Sequence, residues 1–468
     1  MSSPSIVSIN PSTEEVHAVF EPQSDAAVDE ALSRAARAAR AWRATRLDVR
    51  AQRLAAIASV LRRDREYLAR CITEEMGKPL AEARAEVDKC AWCCDHYAAE
   101  GPKLLVDQHV QTSARSSFVT FEPLGIVLAV MPWNFPLWQV FRFAPATLLS
   151  GNGIVLKHAA NVPRCALAIA AVIDEVCPRG LLTTLLVGPE KVPDLLADNR
   201  IAAVTLTGST EVGEKVAALA GRHLKRQVLE LGGSDPFIVL ADADIATAAA
   251  AAVFARNLNG GQSCISAKRF IVEKPVVAEF TDAFAAGVSR LRVGDPLADG
   301  TQVGPLARHS IRESVVDQVR RSTAAGARLV TGGTVPDGRG YFYTPAVLDH
   351  VGADMPVAAE ETFGPVAAVI AADDAEQAIA LGNATEFGLG ASLWTADLDR
   401  ASALVPQIDA GAVFVNDVVA SDPRVPFGGI KRSGYGRELG EFGLREFCNI
   451  KTVWIGPSRD VRTPSLSE

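Results

Sequence analysis

The chain is 468 residues long and is poor in several things at once. No apolar run approaches the roughly 18 residues that a membrane-spanning helix needs, since stretches such as Ile126–Met131 stop at proline or at charge. A helical membrane protein is therefore excluded. A basic excess is missing too. Lys plus Arg total 47 against 55 for Asp plus Glu, and the net charge of -8 has the wrong sign for a grip on nucleic-acid phosphates. The opening segment MSSPSIVSINPSTEE has neither a basic n-region nor an apolar h-region, so a cytoplasmic protein is expected. Repeats and low-complexity stretches are absent. With no secretion signal, the eight cysteines do not read as a disulfide framework. Cys90, Cys93 and Cys94 cluster, but no partner follows at ligand spacing and residues 81–100 read as helix. Packed thiols, and no metal, are expected there.

What is present is an ordinary globular composition, 48% hydrophobic and 22% charged, at a length suited to two to four domains. Residues 24–100 are rich in Ala and Arg with helical periodicity, and Ser24 and Asp25 sit where an N-cap belongs. Residues 109–125 alternate and read as an extended arm or hairpin. From 125 to 240 short Val/Ile/Leu runs alternate with helical stretches: GIVLAVMPW, GIVLKH, AAVTLTGS, QVLELGG, DPFIVLA. Continuous apolar strands between helices imply a parallel sheet covered on both faces, with ligands at the carboxyl ends of its strands. A second α/β set follows from about 236 to 430, and NIKTVWIGP near the end is strand-like. Two open α/β domains with a site in the cleft between them is the economical architecture.

Several motifs carry chemistry. TLTGSTEVGEKVAALA places Gly208, Ser209 and Gly213 between a strand and a helix, which suits a phosphate at a helix N-terminus or a plain tight turn. ELGGSDP puts Gly232 and Gly233 beyond Glu230, a strand-end carboxylate that is either a general base or half of an ion pair. Lys157 closes the strand GIVLKH, where it meets a nucleotide or only solvent. GGQSCIS exposes Cys264 on a tight turn, the setting of a nucleophilic thiol. No histidine lies near it, so a Cys-His hydrolase is not favoured, although a distant partner keeps that reading open.

Together these residues resemble the aldehyde dehydrogenase superfamily over nearly the whole chain. The markers occur in order: EMGKP at 75–79, PWNFP at 132–136, TGS at 207–209, LELGG at 229–233, GQSC at 261–264, EETFGP at 360–365 and PFGGIKRSG at 426–434. The resemblance implies Cys264 as nucleophile, Asn134 as the amide that holds the oxyanion, and Glu230 as the base that activates water. It implies Trp133, Lys157, Gly208, Ser209, Leu231, Glu361 and Phe363 as cofactor-lining residues. Where the family often carries a glutamate against a ribose 2'-phosphate, this chain has Ala160, three residues after Lys157, with His158 beside the lysine. Removing that carboxylate implies NADP as the preferred cofactor, with NAD also used.

The resemblance is nearest to the succinate-semialdehyde dehydrogenase branch, which implies Arg142 and Ser421 as holders of the substrate's distal carboxylate. A second arginine of that branch is Leu258 here, with Arg256 and Arg424 as substitutes, and a second cysteine sometimes found two residues past the nucleophile is Ser266, so no redox switch is expected. The implied fold is an aldehyde dehydrogenase-like α/β fold. Residues 1–104 and 124–232 form a Rossmann-type cofactor domain, 233–432 a catalytic domain, and 105–123 with 433–468 a small β bridging arm. That arm implies a homodimer or homotetramer. The substrate is then a small aldehyde. Rival readings are an aldehyde dehydrogenase of other or broad specificity, a CoA-acylating relative (disfavoured by the retained Glu230), a binding protein that lost the activity, and a cysteine hydrolase.

Overall fold

The computed structural model describes residues 5–456. Its helices begin where the sequence supplies caps. Ser24 accepts the Ala27 N–H at 3.3 Å and starts the helix Asp25–Arg43, whose inward residues Val28, Leu32, Ala35, Ala39 and Trp42 recur every three or four positions. The long helix Leu80–Leu104 carries all three clustered cysteines, and each is fully buried. Among the described residues no helix is long and apolar enough to cross a membrane.

Two open sheets form the body. The first runs in the order Gly434–Tyr435, Arg226–Glu230, Ile201–Thr207, Ile126–Met131, Gly153–His158, Leu182–Thr184, and is parallel except at its first pair. Gly153–His158 is buried at every residue, as a strand covered on both faces must be. The chain leaves Ile126–Met131 to one side through Gly153–His158 and later returns to its other side with Ile201–Thr207. Its carboxyl end is therefore a topological switch point, where ligands bind. The second sheet has the order Arg328–Thr331, Ala346–Asp349, Val366–Ala372, Arg269–Glu273, Pro236–Val239, Gly390–Trp394, Ala412–Val415. Its core is aromatic, with Phe237 stacked on Trp394 at 5.4 Å and tilted against Phe270 at 5.3 Å.

The segment between Glu230 and Pro236 crosses directly from one sheet to the other. The carboxyl end of a first-sheet strand thus faces the loop that precedes Arg269 in the second. A three-stranded sheet, Cys448–Ile455 with Ser116–Pro123 and Gln108–His109, stands apart from both. Two features were not foreseen. Residues 6–20 form a hairpin of their own, and Gly434–Tyr435 pairs with Leu229–Glu230, so it joins the first sheet rather than the arm. Residues 457–468, which the sequence reading also gave to the arm, lie outside the described residues.

Candidate active site

The Cys264 loop is held from below by two buried cations. After the helix Ile245–Asn257, residues Asn259, Gly260 and Gly261 all turn left-handed, at φ 57°, 60° and 70°. A side chain at Gly261 would lie 2.4 Å from the Gly364 carbonyl oxygen, so the turn needs a glycine where it meets the EETFGP loop. The Arg256 guanidinium donates to the carbonyls of Ala267, Gly261 and Gly364 at 3.0, 2.7 and 2.5 Å. Lys268 Nζ donates to those of Ser263, Cys264 and Ser266 at 3.1 to 3.2 Å. Both terminal nitrogens of Arg256 are committed to this task, and the side chain is buried. Arg424 does not either, because it is exposed and paired with Asp422. Cys264 itself is half-buried. Burial pushes its thiol up to about 12, with Arg142 and Lys268 opposing and Glu230 and Asp235 adding.

Asn134 reaches the same loop from the switch point. Its Nδ2 donates to the Gln262 carbonyl at 3.0 Å, and Gln139 Nε2 donates to its Oδ1 at 3.3 Å. A carbonyl only accepts, so the amide orientation is fixed. One of the two Nδ2 protons is left to serve a reacting oxygen. The helix Leu80–Leu104 clamps both sides of this contact. Glu86 Oε1 accepts the N–H groups of Leu137 and Trp138, both at 2.9 Å, while its other oxygen pairs with the buried Lys78 ammonium. One turn earlier, Glu82 accepts the Asn259 N–H at 2.8 Å. The EMGKP segment therefore acts through Lys78 and Glu86 on the loop that carries Asn134.

Glu230 ends its strand with no exposed surface, and neither carboxylate oxygen meets a hydrogen-bond donor among the described residues. Burial holds its carboxyl well above the ordinary range, with Glu438 adding and Arg142 and Arg437 opposing. The turn after it packs directly on the nucleophile loop, since a side chain at Gly233 would lie 2.5 Å from the Cys264 carbonyl oxygen.

Arg142 departs from expectation. It is buried, pairs with Glu438, and donates to Thr207 Oγ1 at 3.2 Å. Thr205 supports the same carboxylate through a 3.3 Å hydrogen bond to Glu438 Oε1. The guanidinium is thus engaged within the fold through Nε and Nη2. Ser421 is also buried, and its Oγ accepts from Lys89 Nζ and Trp138 Nε1, each at 3.0 Å.

Beside Cys264 and Asn134 opens a groove of about 320 Å³ whose walls include Trp133, Gly208, Ser209, Leu231, Glu361 and Phe363. Trp133 and Phe363 meet edge-to-face at 5.7 Å. Ser209 caps the helix Thr210–Arg222, and Glu361 Oε1 accepts the Gly233 N–H at 3.1 Å. Arg308, which no motif announced, lines the groove 5.3 Å from the Trp133 ring centroid. It acts electrostatically on Lys157, whose ammonium is held down mainly by burial, with Glu190 opposing. Aromatic walls, a capped helix start, the Arg308 guanidinium and a carboxylate suit a nicotinamide dinucleotide phosphate, while Lys157 and the exposed Ala160 stand outside the groove's lining. His158 is a correction. Its Nε2 contacts the Pro136 carbonyl at 2.8 Å, its Nδ1 accepts the Ala159 N–H at 2.9 Å, and burial pulls its pKa down to about 4. Neutral and fully bonded, it offers no charge to a phosphate.

Comparison with known proteins agrees with this geometry. The model of the aldehyde dehydrogenase family matches residues 1–453. A succinate semialdehyde dehydrogenase [NAD(P)+] of Escherichia coli is 47% identical over 449 residues, covering 96% of this chain and 97% of the relative. A succinate-semialdehyde dehydrogenase [NADP(+)] of Mycobacterium avium is 48% identical over 459 residues, covering 97% of each. Among solved structures, succinic semialdehyde dehydrogenase from Streptococcus pyogenes in complex with NADP+ superposes with a TM-score of 0.94 at 36% identity, covering 97% of this chain and all of that one.

Proposed function

This chain belongs to the aldehyde dehydrogenase family, and on that premise we propose that it oxidises succinate semialdehyde to succinate, with NADP preferred and NAD accepted, through Cys264. The observation that carries the chemistry is the meeting of three groups at one cleft. A half-buried thiol, an amide with one N–H to spare, and a desolvated carboxylate converge where the two sheets face each other.

With its pKa near 12, the Cys264 thiol keeps its proton at neutral pH. Glu230, raised in basicity by the same burial, is the acceptor at hand for that proton. The sulfur adds to the aldehyde carbonyl, and the oxygen that gains charge lies between the unspent Asn134 N–H and the Cys264 backbone N–H. A bound nicotinamide nucleotide supplies the two-electron acceptor for the hydride released as the C=O bond re-forms. Trp133, Phe363 and Glu361 would hold its nicotinamide end, and Lys157 with Arg308 would provide positive charge for its phosphates. The product on Cys264 is a thioester. Once Glu230 has released that first proton to the solvent, it takes another from water, hydroxide attacks the thioester, and the carboxylic acid leaves as Glu230 returns this second proton to the sulfur and restores the thiol.

The three-stranded sheet carries the contact between subunits in this reading. Its strand Cys448–Ile455 exposes Ile450, Trp454 and Ile455 at 57%, 56% and 47%, too much apolar surface on one strand to be left in water. Sedimentation analysis should find a homo-oligomer, and Trp454→Glu should shift it toward monomer. The function itself is tested by initial rates with succinate semialdehyde, comparing NADP with NAD. Fast nucleotide reduction supports the reading, and turnover confined to neutral aliphatic or aromatic aldehydes rejects the substrate.

A further inference from the structure

One carboxamide stands between the loop that carries Asn134 and the turn that carries Cys264. Asn259 lies two residues beyond the helix Ile245–Asn257 and is 1% exposed. Its φ of 57° is left-handed, a region that asparagine enters more readily than most residues. From there its Nδ2 donates one N–H to the Asn134 carbonyl at 2.8 Å and the other to the Gln262 carbonyl at 3.0 Å. Carbonyls only accept, so the amide has one orientation and both of its protons are spent. The backbone of Asn259 is held as well. Its N–H reaches Glu82 Oε2 on the helix Leu80–Leu104 at 2.8 Å, and its carbonyl accepts the Gln262 N–H and Gln262 Nε2, each at 3.1 Å.

These bonds close a circuit. Asn134 Nδ2 also donates to the Gln262 carbonyl, at 3.0 Å, so that oxygen accepts from Asn134 and Asn259 at once and has both lone pairs filled. The Cys264 backbone N–H belongs to the next peptide unit. The two donors assigned to the reacting oxygen, Asn134 Nδ2 and the Cys264 N–H, therefore sit on segments that Asn259 fastens to each other. Asn134 and Gln262 are 128 residues apart. One follows a strand of the first sheet and the other precedes a strand of the second, so nothing local sets the distance between them.

We propose that Asn259 is a positioning residue of the oxyanion site, whose carboxamide sets the separation of the Asn134 and Cys264 N–H groups. The proposal rests on the reading above of Cys264 as nucleophile and Asn134 as oxyanion donor. Asn259 acts through those two groups, at the step in which charge develops on the aldehyde oxygen. Donors aimed at a transition state are sensitive to placement, and an error of about 1 Å costs up to about 10²-fold in rate. The residue type fits the task. A carboxamide carries two N–H groups for two carbonyls, and a carboxylate of the same shape carries none.

The test sets kcat, with the aldehyde turned over fastest in the comparison above, against the rate at which iodoacetamide alkylates Cys264, read as mass added to the Cys264 peptide. Alkylation is a displacement at carbon by the sulfur and forms no oxyanion. Asn259→Gly keeps the left-handed turn and removes both side-chain bonds. It should lower kcat by about 10- to 100-fold, while alkylation stays within about threefold of the wild type and KM for NADP holds. In the Asn134→Ala background the same substitution should cost only a few-fold, because one of the two donors that it positions is already gone. Asn259→Asp keeps the size and the turn, gives up donors, and should lower kcat by about tenfold or more, which covers the case in which glycine loosens the loop. A kcat that holds in both variants, alkylation that falls in step with kcat, or losses that multiply fully across Asn134→Ala and Asn259→Gly each overturn the assignment to Asn259 alone. An Asn134→Ala enzyme with the kcat of the wild type overturns the reading of Asn134, and this proposal with it.

Discussion

The two sides of the cleft are built on opposite plans. On the nucleophile side, Arg256 and Lys268 spend their charge on seven backbone carbonyls, and Asn259 and Gln262 tie the turn to the Asn134 loop and to Ala307. On the base side, Glu230 is sealed from solvent, and among the described residues neither of its oxygens meets a donor. The difference matches the work. A nucleophile must meet a carbonyl at one distance and angle, so its loop is over-determined by hydrogen bonds to charged groups. A base must exchange protons, and a carboxylate locked by strong donors would be too weak to do so.

Predictions follow that contrast from its strongest point. Cys264→Ala removes the only group that forms the covalent bond and should cost about 10⁴-fold or more in kcat, with NADP binding by Trp133 fluorescence quenching retained. Glu230→Gln should cost about 10²- to 10⁴-fold in steady-state rate through the loss of a general base. Its signature is a pre-steady-state burst of NADPH followed by slow turnover, because the thioester forms but waits for water. If the burst is lost as well, the thiol depends on Glu230 for its own deprotonation. Asn134→Ala removes one oxyanion donor and should cost about 10²- to 10³-fold in kcat. Arg142→Met leaves Glu438 buried without its partner, and unfolding in denaturant should show a loss of about 3–5 kcal/mol. A variant that stays stable but loses preference for succinate semialdehyde would place Arg142 in the substrate site. Ala160→Glu restores a carboxylate near the Lys157 strand end and should move the NADP/NAD ratio of kcat/KM by about tenfold toward NAD.

Much of this was legible in order along the chain. The run GIVLKH read as a fully covered parallel strand, and every residue of Gly153–His158 is buried. GGQSC read as a turn that presents a thiol, and the left-handed run Asn259–Gly261 builds that turn. The groove residues Trp133, Gly208, Ser209, Leu231, Glu361 and Phe363 were named from motifs and do line one cavity with Cys264. Other residues were illegible because their partners lie far away in sequence. His158 next to Lys157 looked like a second cation, yet burial against Pro136 strips its charge. Arg308 carries no motif around it, and only the placement of its helix start against Trp133 brings it to the groove.

The sequence by itself determined the family and the order of elements, and it named Cys264, Asn134 and Glu230 as the residues proposed for nucleophile, amide and base. Those depend on short motifs and on strand and helix periods, which are local. The tertiary structure alone decided which cations are free. Arg142 meets Glu438 across 296 residues, and Lys89 meets Ser421 across 332. Whether a charge is neutralised depends on what lies within a few ångströms of it in space and on how much water is left there. No local pattern records either quantity.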